Sequence, residues 1–115
     1  MSKRRGKEYL SDIVEAIRRI EEYTRGLTYS NFMQDGKTQD AVVRNLEVIG
    51  EAAKGITGAL RKRRPDIPWT DMARLRDRLA HHYFGINYEI VWNVVSKELP
   101  PLRSELASLL AREFA

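Results

Sequence analysis

The chain has 115 residues, with 20 lysines and arginines against 16 acidic residues and a formal charge of +4. It contains no cysteine, which excludes a disulfide scaffold, a thiolate metal site and a cysteine nucleophile. The 43% apolar content suits a packed core and is too high for a disordered chain.

The length fits one domain spanning residues 1–115, and the basic balance favours polyanionic partners. No apolar run reaches the roughly 18 residues that a membrane span needs. Met1–Arg5 leads into an amphipathic segment and not into a signal-peptide core. A soluble, cytoplasmic protein with no membrane partner is expected.

Leu10, Ile13, Val14, Ile17, Ile20 and Tyr23 recur at steps of three and four, which predicts an amphipathic helix over residues 8–25. Gly26 is its stop signal. Tyr29–Met33 reads as a helical turn before the Asp35-Gly36 break. A second long helix follows, with Ala41, Val42, Leu46, Ile49, Ala53, Ile56 and Leu60 on its buried stripe. Its small residues Gly50, Ala52, Ala53 and Gly55 predict close packing of another helix, since each interior glycine costs about 1 kcal/mol of helix propensity against alanine.

Arg61–Arg64 closes that helix with the charge that its dipole favours, and Pro65 and Pro68 force an irregular link. Thr70 with Asp71 marks the start of a third helix, Met72, Leu75, Leu79 and Tyr83 form its stripe, and Gly85 ends it. Asn87 caps a fourth helix carrying Ile90, Val91, Val94, Val95 and Leu99. Pro100-Pro101 is expected to break the chain before a last helix with Leu102, Leu106, Leu109 and Leu110. Strand-like alternation is absent. The expected fold is all-α, an antiparallel up-down bundle of four to five helices.

The chemistry concentrates in residues 69–92. Both histidines, His81 and His82, are adjacent, and on a continuous helix Arg74, Asp77, Arg78 and His81 share one face. Asp77, one turn before His81, is placed to orient the imidazole and stabilise its charged form. Arg76 falls on the face of Leu79 and Tyr83, where a guanidinium is costly unless paired, and Glu51 is the candidate partner. The same residues have a plainer reading, a solvated face with pairs worth about 0.3–0.5 kcal/mol each and Tyr83 in the core. No metal site is expected, because adjacent helical histidines diverge by about 100° and no acidic or thiol cluster surrounds them. No cofactor is expected either.

The run Arg76-Asp77-Arg78-Leu79-Ala80-His81-His82-Tyr83-Phe84, read as Arg, four residues, His, one residue, Tyr, resembles the signature of the HepT-like branch of the HEPN family. Thr38–Arg44, Ile49–Lys54, Pro68-Trp69 and Ile86–Trp92 resemble the branch in matching order. Asp77 stands where many relatives carry Asn. The resemblance implies a HEPN-like helical domain that is a metal-independent endoribonuclease, the toxin of a toxin–antitoxin pair. It implies Arg76, Asp77 and His81 as catalytic residues, with Arg76 gripping phosphate, His81 exchanging protons and Asp77 orienting His81 or meeting the ribose. Glu51, Arg74, Arg78 and His82 would support the site or contact RNA.

It also implies a cognate MntA-like nucleotidyltransferase antitoxin that inhibits the enzyme by AMPylation of Tyr83. Arg76 and His81 stand about 140° apart on an ideal helix, and the branch pools two copies of the motif along one cleft by dimerising. The small-residue helix and Arg76 beside the stripe point to the same homodimer. Basic clusters at Lys3–Lys7 and Arg61–Arg64 add phosphate affinity or serve as a tail and a helix cap. Trp69 and Trp92 are expected in the core and not as base-stacking platforms. The competing function is a non-catalytic helical partner that presents substrate to a nucleotidyltransferase. A third is a helical scaffold, whose motif could be mutated without loss of activity.

Overall fold

The computed structural model describes residues 6–80 and 85–113. They form α1 (Gly6–Thr24), α2 (Tyr29–Met33), α3 (Gly36–Lys54), α4 (Gly58–Arg63), α5 (Trp69–Ala73), α6 (Leu75–Leu79), α7 (Tyr88–Asn93), a π-helical turn (Val94–Glu98) and α8 (Leu99–Glu113). The fold is all-α, as the apolar spacing predicts. The described residues contain no strand, and an antiparallel bridge between Ala80 and Ile86 is the only β-type pairing among them.

Local chemistry sets most element ends. Gly26 has φ +78° and turns the chain out of α1. Thr28 and Asn31 form a reciprocal capping box at α2, and Asp35 caps α3 by accepting from the Thr38 N–H at 3.1 Å and its hydroxyl at 2.7 Å. Those bonds hold the Asp35 carboxyl below the usual carboxylate range, the hydroxyl contributing most. Asn87 caps α7 by accepting from the N–H groups of Glu89 and Ile90.

Three expected elements differ from those observed. The second long helix stops at Lys54, and Ile56 and Leu60 reach the core from the turn beyond it and from α4. The third helix starts at Trp69 and is two short pieces, broken at Arg74 (φ −102°, ψ 15°). It ends at Leu79, well before Gly85, because Ala80 is extended and the Leu79 carbonyl accepts from the Asn87 N–H at 2.8 Å.

Pro100-Pro101 does not break the chain either. Leu99 donates its N–H to the Val94 carbonyl, five residues back. The widened turn absorbs the missing proline donors, and both rings sit in the first turn of α8, where no N–H is needed.

The core is built on α1 lying against α3, with α8 on α1 and α5 on α3. Leu10, Ile13, Ile17 and Ile20 meet Val42, Leu46 and Ile49, and Phe32 and Leu106 are equally inaccessible. Trp69 is buried, with its indole N–H donating to the Arg64 carbonyl at 2.9 Å. Trp92 is half-buried against Phe32, ring centroids 5.2 Å apart. Both serve packing.

The small-residue stretch of α3 packs within the chain. A Cβ on Gly50 would stand 3.3 Å from the Met72 carbonyl oxygen, and one on Gly55 between 2.4 and 2.7 Å from the Tyr9 ring. Gly55→Ala should therefore destabilise the fold by about 1–3 kcal/mol, as overpacking does. The penalty should shrink in a Tyr9→Ala background, read by chemical denaturation of the double-mutant cycle. An equal penalty in both backgrounds would contradict the packing.

Candidate nucleic-acid interface around Arg76

The one-turn helix α6 is anchored by Leu75 and Leu79, both buried, and carries Arg76, Asp77 and Arg78 between them. At about 100° per residue the three consecutive charged side chains diverge.

Arg78 turns to the π-helical turn and forms a bidentate pair with Glu98, at 3.0 and 2.8 Å. The hydrogen bonds to Glu98 raise the Arg78 pKa further above its ordinary value against the opposing effect of burial. This pair borders an apolar cavity of about 260 Å³ that includes Met72, Leu75, Val94 and Leu99, with Asp71, Glu98 and Glu105 as its acidic groups.

Arg76 lies on the opposite side and is exposed, contrary to the expectation that it is half-buried beside the apolar stripe. Leu75 and Leu79 take the buried side of α6, and Arg76, one residue on from Leu75, is turned about 100° away from it toward solvent. Glu51 is not its ion-pair partner: Glu51 is exposed and pairs with Lys54 at 3.2 Å. Glu51 and Arg76 nevertheless line the same cavity of about 250 Å³, together with Arg44, Glu47, Gly50 and Lys54. Among the described residues Arg76, Asp77 and Arg74 have no side-chain hydrogen bond or ion pair, and all three are exposed.

His81, His82 and Tyr83 lie outside the described residues. His81 follows Ala80 directly in sequence, and Ala80 is extended and bridged to Ile86. The continuous-helix face that joins Arg74, Asp77, Arg78 and His81 therefore does not form. The 140° separation of Arg76 from His81 falls with it, because the helix ends at Leu79.

The two sequence-based supports for a homodimer also fall. The small residues of α3 are covered by the chain's own α5 and Tyr9, and Arg76 is not buried.

Most of the Arg61–Arg64 cluster is engaged in the fold. Arg61 donates to the Ala53 carbonyl at 2.8 Å at the end of α3, Arg63 pairs with Glu113 and Arg64 chelates Asp66. Of the N-terminal cluster, Lys3–Arg5 lies outside the described residues, and Lys7 is exposed. Sequence reasoning missed Glu98, which is twenty residues from Arg78. It also missed Glu47 and any role for Arg44, although 44, 47, 51 and 54 share one face of a helix at 100° per residue. Among the described residues no group of three or more His, Asp or Glu is placed to hold a metal ion, and no helix is long and apolar enough to cross a membrane.

The structure thus shows a small helical domain that carries an exposed arginine and aspartate shortly before two histidines and a tyrosine in sequence. Comparison with known proteins specifies its family. Residues 13–109 match the model of the family described as "Ribonuclease HepT-like". "Probable ribonuclease HepT" of Thermococcus cleftensis is 47% identical over 107 residues, covering 93% of this chain and 97% of that protein. "Putative RNase MJ0127" of Methanocaldococcus jannaschii is 44% identical over 110 residues, 96% of this chain and 91% of that protein. "Putative RNase TTE0752" of Caldanaerobacter subterraneus is 36% identical over 107 residues, 93% and 96% of the two chains. No solved structure matches. The chain belongs to the HepT-like ribonuclease family.

Proposed function

We propose that this chain is a metal-independent endoribonuclease and the toxin of a toxin–antitoxin pair. The observation that carries the reading is Arg76: an exposed guanidinium with no partner among the described residues, five residues before His81, inside the family-matched segment.

RNA cleavage without metal needs three services: a base for the ribose 2′-hydroxyl proton, an acid for the leaving oxygen and a cation on the developing phosphorane. His81 supplies proton transfer near neutral pH. Arg76 supplies the cation, and its planar fork fits two phosphate oxygens. Asp77 orients His81 or accepts from the ribose. Glu51, Arg74, Arg78 and His82 are supporting residues, although Arg78 is already committed to Glu98. The active form is a homodimer in which two copies of the motif share one cleft, a reading that rests on the family resemblance alone.

Control is proposed to come from a cognate MntA-like nucleotidyltransferase that transfers AMP to Tyr83. The added phosphodiester carries a negative charge into a segment flanked by Arg76, where it competes with RNA phosphate for the same cation.

His81→Ala and Arg76→Ala should each lower the cleavage rate roughly 10²–10⁴-fold at unchanged helicity, and cleavage should persist in EDTA. Full activity in His81→Ala, or strict dependence on added divalent metal, would sink the mechanism. A parent protein inert on RNA but bound to a nucleotidyltransferase would support the non-catalytic partner instead.

Intact mass spectrometry after co-expression with the nucleotidyltransferase should find AMP-sized additions that disappear in Tyr83→Phe. An unmodified yet inhibited protein would move control to simple occlusion.

A further inference from the structure

The outer face of α3 carries one cation and one carboxylate that the fold does not use, and α6 brings a second cation beside them. Arg44, Glu47, Glu51 and Lys54 follow at steps of three and four and so line one side of the helix. Lys54 and Glu51 neutralise each other at 3.2 Å. Arg44 and Glu47 have no side-chain hydrogen bond or ion pair among the described residues.

The backbone approach at Gly50, where a Cβ would meet the Met72 carbonyl oxygen at 3.3 Å, brings α5 and α6 against this face. Arg76 thereby enters the same cavity of about 250 Å³ as Arg44 and Glu47. A second cavity, about 380 Å³, adjoins it and shares Arg44, Glu47 and Glu51, so the concavity continues along α3 away from Arg76, to Tyr9 and the carboxylate of Asp12 on α1. In the cavity that Arg76 lines, with Glu51 and Lys54 cancelled, two guanidiniums face one carboxylate.

We infer that Arg44, Glu47 and Arg76 form a ribonucleotide subsite. The two guanidiniums hold phosphate oxygens of the RNA strand, and the Glu47 carboxylate accepts the hydrogen of a ribose 2′-hydroxyl. The inference rests on the ribonuclease reading above and extends it to residues on α3.

Guanidinium forks match phosphate oxygens in pairs. An ionised carboxylate only accepts hydrogen bonds, so it repels phosphate and selects a donor, and the sugar donor that separates RNA from DNA is the 2′-hydroxyl. The cavity on the other side of α6 lacks this balance. Its one arginine, Arg78, is consumed by Glu98, and Asp71 and Glu105 add negative charge. A polyanion is directed to the α3 side.

The test measures binding of a short single-stranded RNA, and of DNA of the same sequence, to the His81→Ala protein between about 50 and 200 mM salt. Each phosphate contact on a single strand contributes about 0.7 to the slope of log affinity against log salt. Arg44→Ala should lower that slope by about 0.7 for RNA and DNA alike, a roughly threefold smaller loss of affinity over the range. Arg44→Lys, which keeps the charge, should restore it. Glu47→Gln should leave the slope no lower while reducing the preference for RNA over DNA roughly tenfold, the scale of one hydrogen bond to a charged group.

An unchanged slope in Arg44→Ala overturns the phosphate assignment. An unaltered RNA preference in Glu47→Gln, or equal binding of RNA and DNA before mutation, overturns the sugar assignment. Cleavage by the unmutated chain is read separately. Cleavage together with an unaltered Arg44→Ala slope overturns the subsite alone, whereas a chain that neither cleaves nor binds RNA overturns the ribonuclease reading as well.

Discussion

The close approach of α3 to α5 is the contact on which the rest depends. Gly50 presents bare backbone to the Met72 carbonyl, and any side chain there must push against main chain. This contact sets the distance at which α6 follows α5 along the flank of α3. Leu75 and Leu79 then lock α6 into the core, so Arg76 opens onto the charged side of α3 while Arg78 is drawn across to Glu98. A short helix pinned at both ends by leucines is a rigid mount. It holds an arginine in solvent without the freedom of a loop, as the proposed grip on phosphate requires.

The division of the two arginines has electrostatic consequences. Arg78 gives its bidentate capacity to Glu98 and ties α6 to the π-helical turn, so its role is structural in the first place. Arg76 keeps its full donor set and its solvation. The same sorting runs through the rest of the basic residues. Arg61 caps α3, Arg63 and Arg64 are tied to carboxylates, and Arg18 and Arg19 pair with Glu15 along α1. The surplus charge of the chain is therefore unevenly available, and the α3–α6 side is a place where guanidiniums remain uncommitted.

Much of this was legible in the sequence because it is local. Apolar steps of three and four mark α1 and α3, Gly26 marks a left-handed turn, and Asp35 and Asn87 mark helix starts by side-chain bonds to nearby N–H groups. Long-range causes were invisible. Met72, Leu75 and Leu79 keep helical spacing across the break at Arg74, because one residue at φ −102°, ψ 15° changes direction without upsetting which side is apolar. The helix ends at Leu79 because its carbonyl is taken by Asn87, eight residues on. The prolines at 100 and 101 are accommodated by a widened turn that no propensity announces. The pattern Arg76, Asp77, His81 could be found as a motif, but the angular relation inferred from it assumed a helix that stops two residues too soon.

The central claim is that side chains, and not a metal-bound water, cleave the strand. If a base takes the 2′-hydroxyl proton, the attacking oxygen is the neighbouring ribose hydroxyl itself. The chemical nature of the cut ends is the most direct test. Digestion of an oligoribonucleotide should leave a 2′,3′-cyclic phosphate and a 5′-hydroxyl, and a single 2′-deoxy substitution at the scissile nucleotide should block the cut. Products ending in a 3′-hydroxyl and a 5′-phosphate, or cleavage that continues through the 2′-deoxy position, would contradict it.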